Sequence, residues 1–256
     1  MTGRVVVGKA DLHIHSACGD GMATVAELLE YADEKTDLSV IAVTDHDDLT
    51  GGLEAREEWA RGHHRVDVIA GMEVTTLQGH LLALFIEKPV PSLKPLIPTL
   101  EAVHRQGGLC IIPHPMNWLT RSIGDKAIER VMRERGGGVY FDAVQLSGKG
   151  LGAGVGMKKA CHLNREMYHL PEVGGSDAHF LPAVGSAYTV FEGESAEDLR
   201  HSILMGATSA HNGRYPTLSE IGYRRFLLQQ WRGFSVTPKK SGWGPTILSF
   251  FKRFGR

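Results

Sequence analysis

The sequence predicts an α/β fold in which a parallel sheet closes into a barrel. Short apolar runs recur along most of the chain, and several are rich in Val, Ile and Leu without polar alternation, which is typical of parallel strands covered on both faces. Segments with a helical pattern lie between these runs. Because strands that alternate with helices form parallel sheets, a barrel is the natural closure of this one.

Eight apolar runs are predicted to be strands. They span residues 11–14, 39–43, 66–71, 80–85, 109–112, 143–146, 172–175 and 187–191. The helical patterns between them span residues 24–34, 53–61, 92–106, 125–135, 157–167 and 195–205. Thr24 with Glu27 forms a capping-box sequence at the first helix, and Ser195 with Asp198 resembles one. The third helix is expected to start after Pro98, because proline disrupts a helix interior.

The composition indicates a cytoplasmic protein without a membrane span. A length of 256 residues favours one main domain, and no apolar run reaches the roughly 18 residues that cross a bilayer. The first residues lack the apolar core of a signal peptide. The three cysteines, Cys18, Cys110 and Cys161, are scattered, which fits a reducing compartment without a disulfide framework.

The charge is unevenly distributed along the chain. Residues 214–256 contain nine Lys or Arg against one Glu, a net charge of +8, whereas the whole chain carries −1. The acidic remainder suits a cation site, although solvated surface carboxylates explain most of it. The basic end could contact phosphate backbones or anionic lipid. In this region we predict a helix over 218–231, a linker over 235–243 and a short aromatic and basic segment over 246–254.

Residue types that bind metals recur where the apolar runs start or end. In a parallel barrel the C-terminal strand ends meet on one face, where active sites form. On an extended strand residues i and i+2 point the same way, so His13 and His15 share a direction, as do Asp177 and His179. Imidazole with carboxylate suits Zn, Mn or Fe. The candidate ligands are His13, His15, Asp20, His46, Glu73, His80, His114, Asp177 and His179.

A structural role is the alternative for any single histidine. A lone His in a strand is usually a core or surface group, and His-x-His alone is a weak signal. Six of the thirteen histidines, however, lie at the ends of apolar runs with carboxylates beside them, and this clustering favours metal binding. Structural or surface roles are assigned to the other seven, which are His63, His64, His104, His162, His169, His201 and His211.

Six motifs resemble, in order, those of the PHP (polymerase and histidinol phosphatase) superfamily. They are DLHIHSACGDG, VTDHDDLTGG, GMEV, GHLLAL, IIPHP and GGSDAHF, and the resemblance covers about residues 10–215. It implies a distorted (β/α)7 TIM-like barrel over residues 1–215, followed by a C-terminal helix and basic tail over 216–256. It also implies a hydrolase that acts on phosphoester bonds.

The resemblance further implies two to three divalent ions, of Zn, Mn, Fe or Mg. The first site is matched by His13, His15, Glu73 and Asp177. The second is matched by Glu73, His80 and His114, with Glu73 bridging, and the third by Asp20, His46 and His179. Ions in such a cluster activate a water molecule, and Asp177 or His179 could assist proton transfer. Glu73, Asp177 and His179 are therefore the catalytic candidates.

Contacts with a substrate phosphate are predicted at two cations. Arg121 follows the His114 loop and could bind phosphate through two hydrogen bonds, although a solvated surface role is an equal alternative. Lys149 lies in a glycine-rich stretch that lacks the P-loop pattern and could instead be a flexible loop. Asp45 and Asp47 could orient ligands around His46, or be ordinary turn residues.

Three functions remain open from the sequence. The first is hydrolysis of a small phosphorylated metabolite or nucleotide, and the second is cleavage of short oligonucleotides, to which the basic tail could add affinity. The third is a non-catalytic PHP module with a structural or regulatory role. PHP enzymes that resemble this one and act on nucleotides or oligonucleotides usually carry a helical insert between the fourth and fifth strands. Only 33 residues separate His80 from His114 here, so the substrate remains open.

Overall fold

The structure, a computed structural model, describes residues 6–117, 119–134, 138–148, 154 and 156–240, without the side chains of residues 234–240. The predictions for Lys149 and for the aromatic and basic segment 246–254 lie outside the described residues. The end of the predicted linker, residues 241–243, also lies outside them.

The described residues form one sheet of nine strands. In chain order these are β1 (Val7–Ile14), β2 (Val40–Val43), β3 (Asp67–Thr76), β4 (Gly79–Leu84), β5 (Leu109–Ile112), β6 (Ala143–Ser147), β7 (Glu172–Gly174), β8 (Ala187–Glu192) and β9 (Ser209–Asn212). In space the order is β7-β6-β5-β4-β3-β2-β1-β8-β9. The neighbours from β1 to β3 and from β5 to β7 are parallel.

The sheet curves until its first strand meets the segment that follows β7. The backbone N–H of His15 donates to the carbonyl of Ala178 over 2.9 Å, and the N–H of Ala178 donates to the carbonyl of His13 over 3.2 Å. Ile14 and Ala178 therefore form a parallel bridge across the gap. The α/β barrel expected from the sequence is confirmed.

The expectation that the strands are parallel is wrong for β8, which is antiparallel to β1, and for β4. Strand β4 forms a hairpin with β3, in which Thr76 pairs with Gly79, and it is also antiparallel to β5. The reversal uses a loop of two residues, Leu77 and Gln78, and Gly79 adopts a φ of +134° that favours glycine. Because β4 runs backwards, its first residues lie at the same end of the barrel as the last residues of β3. That reversal brings His80 to the face where the other ligand candidates lie.

Eight α-helices cover the sheet in the described part of the chain. They are α1 (Val25–Lys35), α2 (Thr50–Arg61), α3 (Leu96–His104), α4 (Asp125–Arg133), α5 (Met157–Leu163), α6 (Ala196–Leu204), α7 (Leu218–Ile221) and α8 (Tyr223–Lys240). Both predicted capping sequences are confirmed: Thr24 accepts a hydrogen bond from Glu27 N–H, and Ser195 accepts one from Asp198 N–H. A single π-helical turn, Asn164–Tyr168, extends α5.

Three boundary predictions in the helices are wrong. Helix α3 begins at Leu96 rather than after Pro98, because a proline in the first helical turn removes no intrahelical hydrogen bond. The predicted helix over 218–231 is divided at Gly222, whose φ is +89°. Helix α8 then runs to Lys240, so the first part of the predicted linker is helical.

Alternate residues of the strands enter different apolar clusters. Val40 and Ala42 of β2 belong to a cluster that draws residues from β1 through β7, which only the barrel interior permits. Ile41 and Val43 of the same strand pack instead with residues of α1 and α2. Burial on both faces explains why the strand sequences lack polar alternation. The interior cluster fills the barrel below the polar end described next.

Candidate metal centre

The nine ligand candidates converge at one end of the barrel. They come from the strands and from the loops that leave them: His13 and Glu73 lie in β1 and β3, and His80 lies near the start of β4. Glu73 and the two histidines of β1 and its loop, His13 and His15, are at most 1 % exposed. The other candidates lie in loops, and they are Asp20, His46, His114, Asp177 and His179.

Glu73 lies at the centre of the cluster, and its two carboxylate oxygens face different histidines. Oε1 lies 2.8 Å from Nδ1 of His80 and 3.0 Å from Nε2 of His114. Oε2 lies 3.1 Å from Nδ1 of His46 and 3.2 Å from Nε2 of His13. A carboxylate in this position could bind one cation through each oxygen.

A first group of ligand atoms surrounds Oε2 of Glu73. Nε2 of His15 lies 3.1 Å from Nε2 of His13 and 3.1 Å from Oδ1 of Asp177. Nε2 of His13 lies 3.5 Å from the same Asp177 oxygen. Three side chains thus direct nitrogen or oxygen atoms at a common point beside Glu73, as ligands of one ion do.

A second group surrounds Asp20 in the loop after β1. Its Oδ2 lies 3.2 Å from Nε2 of His179, and its Oδ1 lies 3.7 Å from Nδ1 of His15. The rings of His15 and His179 are stacked, with their centroids 4.2 Å apart. His46 belongs to this group and also approaches Glu73, so it lies between two potential ion positions. The sequence prediction for the third site, Asp20, His46 and His179, remains a prediction about ligation, but its members do lie together.

Several buried polar atoms of the cluster make no hydrogen bond with any described residue. They are Nδ1 of His15, Oδ1 of Asp20 and Nε2 of His80. A buried polar atom without a partner is unfavourable by roughly 1–3 kcal/mol. Imidazole nitrogens and carboxylate oxygens are ligands for Zn, Mn and Fe, so the residues fit divalent cations.

The charges of the cluster shift several pKa values in opposite directions. Although burial alone would raise them, nearby histidines hold the pKa values of Glu73 and Asp177 well below their usual range. Burial lowers the pKa of His13, but Asp177 and Glu73 outweigh it and raise that pKa to about 9. Asp20 likewise raises the pKa of His179 to about 10 against the effect of burial. The carboxylates are therefore ionised, and part of the imidazole set carries protons when no ion is bound.

Gln145 on β6 orients His13, and the sequence analysis did not single it out. Its amide nitrogen donates to the carbonyls of Gly175 over 2.8 Å and Ser147 over 3.1 Å. The amide oxygen therefore faces Nδ1 of His13, 3.1 Å away, and accepts a hydrogen bond from the Nδ1–H group. This tautomer leaves Nε2 of His13 available to an ion. The sequence signal that could have identified Gln145 is its position as a polar residue within a buried apolar strand.

His114 is oriented by a hydroxyl in the loop that follows it. Ser122 Oγ donates to the carbonyl of His114 over 2.7 Å and lies 2.8 Å from its Nδ1. Because the hydroxyl proton already forms the hydrogen bond to the carbonyl, Oγ accepts a hydrogen bond from Nδ1–H of His114. The other ring nitrogen, Nε2, then faces Glu73 without a proton. Backbone strain also occurs here, since His114 and Asp177 both have positive φ values, of 29° and 54°.

Two buried aspartates fasten the loops that carry the ligand candidates. Asp11 accepts hydrogen bonds from Ser176 N–H over 2.8 Å and from Gly185 N–H over 2.8 Å, which ties β1 to the loop of Asp177. Asp45 accepts from the N–H of Ser16 over 2.7 Å. Asp45 therefore anchors the loop after β1, in agreement with a supporting role rather than ligation.

A cavity of about 460 Å³ lies beside the cluster. It is lined by the turn between β3 and β4 and by the loop of Ser122, the residue that contacts His114. Arg121, predicted as a phosphate contact, is exposed and lines this cavity, and its carbonyl accepts from His80 N–H over 2.6 Å. The backbone of Arg121 thus lies beside His80, and its phosphate contact stays a prediction, whereas Lys149 lies outside the described residues.

Helix α8 contacts the loop that carries Asp20, which the sequence did not indicate. Arg232 donates through Nη2 to the carbonyls of Ala17 over 2.9 Å and Gly19 over 3.3 Å. The amide nitrogen of Gln229 lies 3.5 Å from Oδ2 of Asp20. The C-terminal extension is therefore a wall of the candidate metal centre in the described structure.

A separate group, His104 with Asp142 and Cys110, lies away from the cluster. His104 faces an acceptor at each ring nitrogen: Asp142 Oδ2 at 2.9 Å and the Gly138 carbonyl at 2.7 Å. The same Asp142 oxygen accepts from Cys110 N–H over 2.7 Å. These contacts satisfy the group without an ion, so the structural role expected for His104 agrees with its surroundings.

Replacing Gln145 with Leu is expected to weaken metal binding by about 10- to 100-fold, because His13 loses the acceptor that fixes its tautomer. Competition with a chromogenic chelator measures the affinity. Gln145→Glu keeps an acceptor at the same position and is expected to retain more affinity than the Leu variant. Gln106→Leu serves as the matched control, because Gln106 is half-buried and its amide contacts the backbone of Glu87 and Lys88 rather than a ligand candidate. Equal affinity in wild type and Gln145→Leu contradicts the orienting role.

Replacing Arg232 with Met is expected to lower the affinity of the Asp20 group by about tenfold, since the loop loses two hydrogen bonds that hold it. Elemental analysis after dialysis against dilute chelator reports the metal retained per chain. Arg224→Met, on an exposed part of the same helix, is the control for general effects on α8. Unchanged metal content in Arg232→Met argues against a role for α8 in the site.

The arrangement of the cluster indicates a class of enzyme, and the match to known families then gives the family. A barrel whose strand ends direct six imidazoles and three carboxylates into one basin is the architecture of a metal-dependent hydrolase. Two family models match the chain: the PHP domain over residues 11–120 and the PHP-associated region over residues 163–208. The chain belongs to the PHP family, and it is a hydrolase that acts on phosphoester bonds.

Relatives and solved structures agree with this assignment. The uncharacterized protein MJ1587 of Methanocaldococcus jannaschii is 34 % identical over 134 residues, which are 47 % of this chain and 75 % of that protein. The phosphoribosyl 1,2-cyclic phosphate 1,2-diphosphodiesterase of Eggerthella lenta is 36 % identical over 101 residues, 37 % of each chain. The 5'-3' exoribonuclease Rnm of Salmonella typhimurium is 32 % identical over 88 residues, 33 % of this chain and 30 % of that enzyme.

A crystal structure from Bacteroides vulgatus, of a two-domain protein described as containing a PHP-like metal-dependent phosphoesterase, shares the fold. Its TM-score is 0.65 at 18 % identity, over 88 % of this chain and 70 % of that one. Among the described residues of the present chain, no helix has the length and apolar character that crossing a membrane requires.

Proposed function

We propose that the chain hydrolyses a phosphoester of a small phosphorylated metabolite or nucleotide, using two to three divalent cations of Zn, Mn, Fe or Mg. The observation that carries the proposal is the position of Glu73, whose two oxygens face separate sets of histidines. Such a carboxylate is suited to bridge two ions. Ions of this kind lower the pKa of water and neutralise charge on phosphate oxygens.

The distances within the cluster support the following assignment of ligands to ions. His13, His15, Glu73 and Asp177 would hold one ion, and Glu73, His80 and His114 would hold a second. Asp20, His46 and His179 would hold a third. Glu73, Asp177 and His179 are the residues proposed to act in catalysis. His179 donates through Nδ1 to the carbonyl of Asp177 over 3.0 Å, so its Nε2 is the atom that faces the basin.

The substrate is proposed to enter through the cavity beside Ser122. Arg121 lines this cavity, and its guanidinium could form two parallel hydrogen bonds with a phosphate. Lys149 is proposed as a further contact. Residues 1–215 are proposed as the catalytic domain and 216–256 as an extension that completes it. A cytoplasmic location is proposed because all three cysteines are free thiols.

Cleavage of short oligonucleotides is the second candidate function. The similarity to an exoribonuclease favours it, as does the net charge of +8 over residues 214–256, which could bind a phosphate backbone or another anionic surface. Against it, a single nine-residue helix, α3, lies between β4 and β5, where a helical lid would be inserted.

One panel of substrates separates these functions. Metal-loaded protein is assayed on a phosphate monoester, a phosphate diester, nucleoside monophosphates and end-labelled RNA, with chelator-treated protein as the control. Metal-dependent turnover of small phosphoesters supports the first proposal, and preferential shortening of the labelled strand supports the second. Fully metal-loaded protein without turnover on any of them would instead indicate a non-catalytic PHP module.

A further inference from the structure

Helix α8 presents an apolar arc to solvent on the side that faces away from the barrel. Tyr223, Leu227, Leu228 and Trp231 are 67, 68, 51 and 70 % exposed in the described structure. Their spacing of four, one and three residues places them along one side of a helix. Single exposed apolar residues are ordinary, but four of them on one side of a helix, Trp and Tyr included, mark an interaction surface.

The orientation of α8 is fixed by its opposite side. Gln229 is buried, and Arg232 donates to two carbonyls of the loop that carries Asp20. Turning the helix to bury Leu227 and Trp231 would therefore remove these contacts. The exposed arc is a feature of the docked helix, and this interpretation does not depend on the chemistry of the metal centre.

The charge around the arc selects among possible partners. Arg224 and Arg225 are exposed on α8, and residues 214–256 carry a net charge of +8. The partner is therefore anionic, and a second copy of the same arc would bring these arginines close to their own equivalents. A nucleic acid would pair with the arginines but would leave Leu227 and Leu228 unused.

We propose that the outer face of α8 binds the surface of an anionic lipid bilayer, with the helix lying in the interface plane. Leu227, Leu228 and the ring of Trp231 enter the boundary between headgroups and acyl chains, where aromatic side chains are favoured. Arg224 and Arg225 contact the phosphates of the headgroups, each adding affinity near a negatively charged surface. The aromatic and basic residues beyond α8, such as Phe250, Phe251 and Lys252, extend the same composition.

Vesicle co-sedimentation of the full chain tests the proposal. Vesicles of phosphatidylcholine are compared with vesicles in which part of it is replaced by phosphatidylglycerol, and the fluorescence of tryptophan is recorded in parallel. Wild-type protein is expected to bind the anionic vesicles with a blue shift. The double variant Leu227→Glu/Trp231→Glu is expected to partition at least about tenfold less. Thermal unfolding of the unbound proteins verifies that each variant folds.

The double variant Leu204→Glu/Met205→Glu is the matched control, because Leu204 and Met205 are 56 and 68 % exposed at the C-terminal end of α6, outside the arc, and the variant adds the same two negative charges. The control is expected to bind vesicles like wild type. Absence of binding to anionic vesicles, or equal loss in the control, overturns the proposal. Self-association that the double variant abolishes would overturn it in favour of a second copy, and binding of labelled RNA that requires Leu227 and Trp231 would overturn it in favour of nucleic acid.

Discussion

Replacing Glu73 with glutamine is expected to reduce metal-dependent phosphoester hydrolysis by about 10³-fold or more. The substitution keeps the side-chain volume but removes the charge and one of the two oxygens that face different histidines. Loss of a bridging ligand removes several kcal/mol of transition-state stabilisation, and each 1.4 kcal/mol is roughly a factor of ten in rate. Steady-state rates and elemental analysis on the same preparation measure turnover and metal content together.

Glu87→Gln is the control for this experiment. Its side chain is 76 % exposed and pairs with Arg56 at 3.4 Å on the surface, so the same chemical change is expected to leave rate and metal content unaltered. A Glu73→Gln variant that retains both the metal and the turnover of wild type would refute the bridging role assigned to this carboxylate.

Metal affinity is expected to rise steeply with pH. In the metal-free protein the pKa of His13 is about 9 and that of His179 about 10, because neighbouring carboxylates outweigh the effect of burial. Both imidazoles are therefore doubly protonated and positively charged at neutral pH. An ion that binds to either ring must displace one of these protons. Affinity at each site should increase about tenfold per pH unit between about pH 6 and 8, and level off above the pKa of its histidine.

Calorimetric titration with Zn or Mn in buffers of different protonation enthalpy counts the protons released. We expect at least one proton per ion bound at neutral pH. His64→Gln, which changes a half-buried histidine that pairs with Asp33 outside the cluster, is expected to leave this number unchanged. Affinity that is constant with pH, with no proton release, contradicts the charge state described for the cluster.

The convergence of the ligand candidates could be expected from the sequence because most of them lie where strands start or end. His13 and His15 were expected to share a direction, and their Nε2 atoms do lie 3.1 Å apart. The pair Asp177 and His179 reaches the basin differently, since Asp177 has a φ of 54° and lies outside regular strand. Both residues lie in the cluster, but the extended geometry invoked for this pair is wrong.

The roles of Gln145 and Arg232 could not be predicted from the sequence, because both depend on contacts between distant parts of the chain. Gln145 is a single polar residue in a buried strand, and nothing local shows that it faces His13 across 132 positions of chain. The contact of Arg232 with the loop of Asp20 spans more than 210 residues. The reversed direction of β4 did have a local signal, the glycine after a two-residue turn, which the apolar pattern alone did not capture.

The measurement that tests the account most directly is the location and number of metal ions in crystals of the purified protein, by anomalous scattering with elemental analysis of the same sample. The account predicts at least two ions per chain, one beside each oxygen of Glu73, within ligand distance of His13 and His114. An ion bound only elsewhere, such as at His104 and Asp142, or a basin that stays empty in excess Zn and Mn, would contradict it.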